Sequence, residues 1–329
     1  MKFTKRYRDF VKDQKELPVV QLKKVLRNCE MRNQISRDND GSSSVSHNCL
    51  HHCPECDEIF LPNLLKDVFE VVNFFNKSAQ KLLECHFASG FHKYLLFIKS
   101  KLQGKSLVNL IKEGNDLVTY ATVNAVAVRK ILKKYDKVHC SVKGQNFRLE
   151  AQAKHLELLK SPWLFELMAF HINLRENKEH QIQINHTLLP ALFDCLLHID
   201  DDDGGPSLLV TLFNSIRLNS DLTCPICLET VFDPVSLSCS HILCYMCACS
   251  VASVTIVDGL KSADPKSKCP ICRQVGVFEG SIHLDELGLL LSQRLPGYWE
   301  ERLQRERKER IKQAKEHWDV QCRAFMGYR

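Results

Sequence analysis

The chain has 329 residues, 26% of them charged, with a formal net charge of +6. That length holds two domains and connecting segments, the charge is mild for its size, and the longest apolar runs, such as Val251 to Val257, are far too short to span a membrane. Sixteen cysteines follow a charged opening, MKFTKRYRDF, with no signal peptide, so reduced thiols in an intracellular protein are expected rather than the disulfides of a secreted one.

Helical periodicity dominates the first 175 or so residues. Short helical segments are expected at 2–15 and 19–32. His47, Cys49, Cys53 and Cys56 follow, spaced H-x-C-x3-C-x2-C and flanked by His51 and His52. Four such ligands could close a structural zinc site with no open position. The plainer reading is a set of reduced thiols ahead of the next helix, with Pro54 setting a turn.

One long helix is expected from about Pro62 to Lys99, through Leu65, Val68, Phe69, Val72, Phe75, Ala79, Leu82, Leu83 and His86. A second carries apolar or small residues at 117, 121, 124, 128, 131 and 135, a four-and-three spacing that makes a stripe along one side. The stretch around Gly104 between them is short, so the two are expected as antiparallel neighbours in a bundle.

The second helix ends in RKILKKYDK. Lys130, Lys133, Lys134 and Lys137 stand at i, i+3, i+4 and i+7 on one face, with only Asp136 among them. Like charges at that spacing cost a few tenths of a kcal/mol per pair. Such a face is either solvated or a polyanion site where lysines act as point charges for phosphate groups. A further helix near 162–173 is expected to begin with Pro162 after Ser161 as its N-cap.

The opening MKFTKRY, the LKKVL at 22–26 and KILKKYDK after two long helices together resemble the SPX domain, a sensor of inositol pyrophosphates. The resemblance covers about residues 1–175. It implies that Lys23 and Lys134 belong to the phosphate-binding cluster, that Lys130, Lys133 and Lys137 surround it, and that Lys2 adds a contact from the first helix. The family often has a tyrosine where this chain has Val19, which has no hydroxyl to donate.

Residues 176–220 read as a linker. IDDDDGGP at 199–206 signals a turn and LLVTLFNSIRL at 208–218 has strand-like apolar content. A hairpin of 193–199 against 208–213, folded over the bundle, is expected, with Asp200 to Asp203 as a solvated loop tip.

From Cys224 the chain runs C-x2-C, eleven residues, C-x-H, two residues, C-x2-C, twenty-one residues, C-x2-C. Each C-x2-C turns two thiolates onto one metal, and eight ligands taken four at a time mean two zinc ions. The order resembles the C3HC4 RING finger of ubiquitin ligases. The resemblance implies interleaved sites: Cys224, Cys227, Cys244 and Cys247 for one zinc, Cys239, His241, Cys269 and Cys272 for the other. It also places Ile226, Pro270 and Val251, the last on a helix expected over 247–257, in an apolar groove for a ubiquitin-conjugating enzyme (E2). Arg273, directly after the last ligand, matches the linchpin that bridges that enzyme and its ubiquitin. No nucleophile is expected, and Cys249 reads as a small packed residue. Nucleic acid is not an expected partner, since CACSVASVTIV carries no basic residue to face phosphates.

Residues 298–323 form a charged helix marked by Trp299, Leu303, Ile311, Ala314 and Trp318. Its basic and acidic residues alternate, which suits salt-bridged solvent exposure; it is expected to pack on the RING or the bundle, and pairing of two copies stays open.

The expected fold is therefore multi-domain: an α-helical SPX bundle (1–175) with two long antiparallel helices, a linker (176–220), a small α+β zinc-binding RING finger (221–275) and a charged C-terminal helical segment (276–329). That combination resembles the plant ubiquitin ligases of the nitrogen-limitation-adaptation type, through SPWLFELMAFHINLRE (161–176), DLTCPICLETVFDPVSLSCSHILCYMCACSVASV (221–254), HLDEL (283–287) and the tail at 298–323. It implies a RING-type E3 ubiquitin-protein transferase regulated by inositol pyrophosphate. Its partners would be an E2, ubiquitin and membrane phosphate (or nitrate) transporters, met in the cytoplasm, the nucleus or at the inner face of the plasma membrane. The alternative is an inositol-phosphate-dependent adaptor whose RING only binds proteins.

Overall fold

A computed structural model describes residues 17–20, 54–87, 107–139, 143–153, 156–176, 193–198, 206–212 and 216–327. The chain divides into two compact units, Met1–Ser161 and Pro162–Arg329. The expected boundary at 175 falls one helix later. Among the described residues no helix is long and apolar enough to cross a membrane.

The first unit is built on α1 (Pro54–Phe87) and α2 (Leu107–His139), followed by α3 (Lys143–Ala153). On α1 the buried positions are Phe60, Leu64, Val68, Val71, Val72, Phe75, Ala79, Leu82 and Leu83, at helical spacing; Phe69 faces out and Leu65 is half-buried. The helix starts eight residues before the expected Pro62. Pro54 takes the first helical position, where a proline costs no hydrogen bond, and Pro62 is carried inside the helix at the loss of one internal bond.

Phe60 stacks on Tyr135 at 4.0 Å between ring centres, and Phe74 meets Tyr120 edge-on at 5.3 Å. Rising numbers on α1 thus meet falling numbers on α2. The segment 17–20 is not helical, so a helix over 19–32 does not begin where the pattern placed it. Instead Tyr120 donates its hydroxyl to Pro18 O, and Val20 N–H donates to Asn124 Oδ1 at 3.2 Å. Asn124, fully buried, thereby finds a partner the apolar stripe alone did not announce. Asp136 Oδ1 accepts from Gly144 N–H at 2.9 Å, so the one carboxylate among the lysines caps the first turn of α3.

The second unit opens with α4 (Pro162–Glu176), three residues longer than expected. Ser161, before it, donates its hydroxyl to Asn76 Oδ1 at 2.8 Å. Strands β1 (Phe193–His198), β2 (Ser207–Leu212) and β3 (Ile216–Asp221) form an antiparallel meander, with Phe193 opposite Leu212 and Ser207 opposite Asp221. The expected pairing of 193–199 with 208–213 is present, and a third strand follows it. β3 leads straight into Cys224. A second small sheet has the order β5 (Ile242–Cys244), β4 (Pro234–Ser236), β6 (Ile282–His283). Helix α5 (Tyr245–Ala252) lies between, and α6 (Asp285–Arg294) and α7 (Pro296–Phe325) close the chain.

Helix α6 is pinned to α4 by more than its buried leucines, each worth about 1.5–3 kcal/mol. Glu166 accepts from the backbone N–H of Glu286 at 2.9 Å and of Leu287 at 3.1 Å, an N-terminal cap supplied from another helix. Asn173 donates to Glu286 O and to its carboxylate at 2.6 Å. Burial pushes the Glu166 carboxyl up to about 8, against the pull of those two N–H groups, and pushes Glu286 up to about 7, against the Asn173 bond.

Both carboxyls therefore hold protons in the folded chain that the unfolded chain has released. The stability from the protonated pair is full below the ordinary value of 4.5 and is lost as pH rises through about 7 and then 8. The melting temperature should fall between about pH 4.5 and about pH 8. Glu166→Gln, which cannot ionise, should flatten much of that fall; an equally steep fall in the variant contradicts the assignment.

Candidate metal centres

Two short loops carry the same turn. Cys224-Pro-Ile-Cys-Leu-Glu and Cys269-Pro-Ile-Cys-Arg-Gln repeat the sequence CPIC and the hydrogen bonds with it. Cys224 N–H donates to Glu229 O at 2.8 Å and Leu228 N–H to Cys224 O at 2.8 Å; Cys269 N–H donates to Gln274 O at 2.9 Å and Arg273 N–H to Cys269 O at 2.9 Å. Leu228 and Arg273, each directly after the second cysteine, take left-handed backbone with φ of 59° and 61°. The chain reverses there, and both thiols of each pair turn to one side.

The sheet brings the middle ligands in. Pro234 pairs with Cys244 and Val235 with Leu243, so β5 delivers Cys244 to the first loop and leads into α5, which carries Cys247. The ligand atoms of Cys224, Cys227, Cys244 and Cys247 form one group, and those of Cys239, His241, Cys269 and Cys272 another, all within 4.8 Å of one another. This is the interleaved pairing that the RING resemblance implies.

Spacing within the groups tests which ion they suit. Tetrahedral zinc with sulfur at about 2.3 Å and nitrogen at about 2.05 Å sets S···S near about 3.8 Å and S···N near about 3.6 Å. Cys227 and Cys244 sulfurs lie 3.8 Å apart; His241 Nδ1 lies 3.3 Å from Cys239 Sγ and 3.6 Å from Cys269 Sγ. Backbone N–H groups support the sulfurs, from Phe232 to Cys244 at 3.3 Å and from Ile271 to Cys269 at 3.4 Å. The donor set fits zinc at both centres, and four protein ligands leave no open coordination position, so the centres are structural.

Ile226 projects from the first loop at 41% exposure, and Pro270 from the second is exposed. Val251 is half-buried on α5. That helix ends at Ala252, not at 257: Ser253 takes left-handed backbone at φ 57° and closes it, with Val254 to Val257 beyond. Arg273 is exposed. The loops expose further apolar side chains that ligand spacing did not single out, Leu228, Ile271 and Val275. Cys249 is buried, and that burial pushes its thiol up against a hydrogen bond from Tyr245, which is the wrong direction for a nucleophile.

Helix α7 packs against the zinc-binding segment, one of the two places expected for it, and buries part of its charged face there. Trp299 packs on Phe232 at 4.4 Å between ring centres, and Tyr298 donates its hydroxyl to Thr230 O at 2.5 Å. Arg302 and Glu306 are buried, although their neighbours in the charged run face out. Arg310 donates to Asp233 Oδ2 at 2.6 Å. Burial opposes the Asp233 charge, yet hydrogen bonds from His283 and Arg310 outweigh it and lower the carboxyl.

In the other unit Lys130, Lys133, Lys134 and Lys137 are exposed near the end of α2. Lys2 and Lys23 lie outside the described residues, as do His47, Cys49 and Cys53; Cys56 stands in the first turn of α1, with only its backbone described.

The family described as zinc finger, C3HC4 type (RING finger) matches residues 224–272. The chain is 55% identical over 331 residues to a probable E3 ubiquitin-protein ligase BAH1-like 1 of Oryza sativa subsp. indica, covering 99% of this chain and 100% of that protein. It is 52% identical over 337 residues, again 99% and 100%, to the E3 ubiquitin-protein ligase NLA of Arabidopsis thaliana. A shorter likeness, 45% over 60 residues, covers 18% of this chain and 8% of a probable E3 ubiquitin-protein ligase MID2 of Mus musculus. No solved structure gives a significant match.

Proposed function

Because the chain belongs to the plant family of E3 ubiquitin-protein ligases named NLA and BAH1-like, we propose that its two zinc loops dock a ubiquitin-conjugating enzyme while its helical N-terminal part senses an inositol pyrophosphate. The ligase activity itself follows from full-length identity to named ligases together with the RING finger, and the adaptor reading gives way to it.

The chemistry is one of orientation. The conjugating enzyme's cysteine carries ubiquitin as a thioester, and a substrate lysine attacks it. The ligase holds that flexible pair in an attack-ready pose and brings substrate near. Bound zinc supplies the fixed loop geometry. Ile226 and Pro270, exposed on the two loops, and Val251 on α5 form the docking surface; Arg273, exposed beside the last ligand, bonds both partners with its fork of donors. The buried Cys249 supports the absence of a covalent step on this chain.

The SPX reading is supported by the two long helices, whose aromatic contacts run in opposite chain order, and by the four exposed lysines on one face of α2. Lys2 and Lys23 complete the site in this proposal. Substrates are phosphate or nitrate transporters reached from the cytoplasmic side, and two copies pair through the exposed Ile311 and Trp318 of α7.

Calorimetry with an inositol pyrophosphate tests the lysines. Three lost contacts at about 1 kcal/mol each predict about a 100-fold weaker Kd when Lys130, Lys133 and Lys134 all become Ala. Unchanged affinity removes the site from α2.

A further inference from the structure

Arginine is almost never fully buried without partners of opposite charge, yet Arg302 is only 7% exposed. Its Nε donates to Glu306 Oε1 at 3.1 Å, its Nη1 to Glu229 Oε2, and its Nη2 to Cys227 Sγ at 3.7 Å. Both acceptor carboxylates are themselves held: Glu229 by Arg305 at 3.0 Å, Glu306 by Arg310 at 3.2 Å. Cys227 is a ligand of the first zinc centre, and Glu229 ends the loop that carries Ile226.

The two centres differ in charge. Four thiolates outweigh a divalent cation by two charges; three thiolates and a neutral imidazole outweigh it by one. The buried guanidinium stands at the more negative centre. Groups that donate to metal ligands from outside orient them, and losing one typically costs 10–100-fold in metal affinity or activity. Helix α7 brings this group in from 75 residues beyond Cys227.

We propose that Arg302 is a positioning residue for ubiquitin transfer: by donating to the Cys227 thiolate and to Glu229 it offsets the charge of the first zinc centre and fixes the Ile226 loop against α7. The inference rests on the reading of the two loops as zinc sites that dock the conjugating enzyme. It makes α7 part of the ligase. Lysine is a poor substitute, since a point charge on a flexible stem cannot serve the thiolate, Glu229 and Glu306 together.

The test uses the full chain, as wild type, Arg302→Met and Arg302→Lys. Metal content is measured first, then zinc release to a chromogenic chelator, then the sulfur-to-cobalt charge-transfer absorption after Co²⁺ exchange. Wild type should hold two zinc ions. Arg302→Met should release both ions about tenfold faster, because the interleaved centres open together, and should shift the four-thiolate cobalt absorption. In ubiquitin discharge, KM for the charged conjugating enzyme should rise more than kcat falls. Arg302→Lys should lie between the two.

Wild-type release of both ions together with a wild-type KM in Arg302→Met overturns the proposal. Should that variant hold no zinc because it does not fold, Arg302→Lys decides: accelerated release supports the role, and wild-type release overturns it. A wild-type chain without zinc sinks the zinc reading itself, a result separate from either.

Discussion

Cys239→Ser is expected to empty both zinc centres, not one, and to abolish ubiquitin transfer. Cys239 and His241 sit in sequence between the two cysteine pairs of the other centre, and the β4–β5 hairpin ties the groups together. Structural zinc contributes on the order of 10–16 kcal/mol in small domains, against a total stability of about 5–15 kcal/mol. A segment this dependent on metal does not keep one centre folded while the other opens. Metal analysis should show well under one ion per chain, and near-UV circular dichroism should lose the fine structure of the second unit. One zinc retained with an intact spectrum contradicts the coupling.

Ile226→Ala and Arg273→Ala should both damage transfer, through different constants. In the proposed docking Ile226 offers apolar surface to the conjugating enzyme, and its loss costs about 1.5–3 kcal/mol. That is roughly a ten- to hundredfold rise in KM with kcat nearly kept. In the same proposal Arg273 acts only when ubiquitin is folded onto the enzyme that carries it. Two charge-assisted bonds of about 1.5–3 kcal/mol each then vanish from the transition state, and kcat should fall about a hundredfold or more while KM holds. Single-turnover discharge onto free lysine at varied enzyme concentration separates the two. Equal effects on both constants in both variants remove the division of labour.

How far the sequence carried this picture depends on what each feature rests on. The eight ligands were legible because metal chemistry restricts residue type and spacing so tightly, and the structure gathers them into the two expected groups. The repeated CPIC turn was equally visible in the letters, yet only the hydrogen bonds explain why Leu228 and Arg273 share a left-handed backbone. The end of α5 was not legible: Val251 to Val257 continue the apolar run, and the stop is a backbone event at Ser253.

Arg302 and Glu306 show the deeper limit. In a helix written WEERLQRERKERIKQ they are indistinguishable from their exposed neighbours. Arg302 meets a thiolate and a carboxylate from a loop some 75 residues earlier, and Glu306 bonds Arg302 in turn, which no local pattern announces. Glu166 is similar: a lone carboxylate in the apolar SPWLFELMAFH looks costly until α6 arrives with two backbone N–H groups for it. That same contact explains why α4 clusters with the zinc-binding unit although the expected helical domain ran on to residue 175.

The central claim, a zinc-dependent RING ligase that works by orientation, is tested most directly by a reconstituted reaction containing E1, a panel of conjugating enzymes, ubiquitin and ATP. Wild type is compared with metal-stripped protein and with Arg273→Ala. The account predicts ubiquitin chains with wild type and at least one conjugating enzyme, none after metal removal, and little or none with Arg273→Ala. Wild-type protein shown to hold both zinc ions that forms no chains with any conjugating enzyme would contradict it.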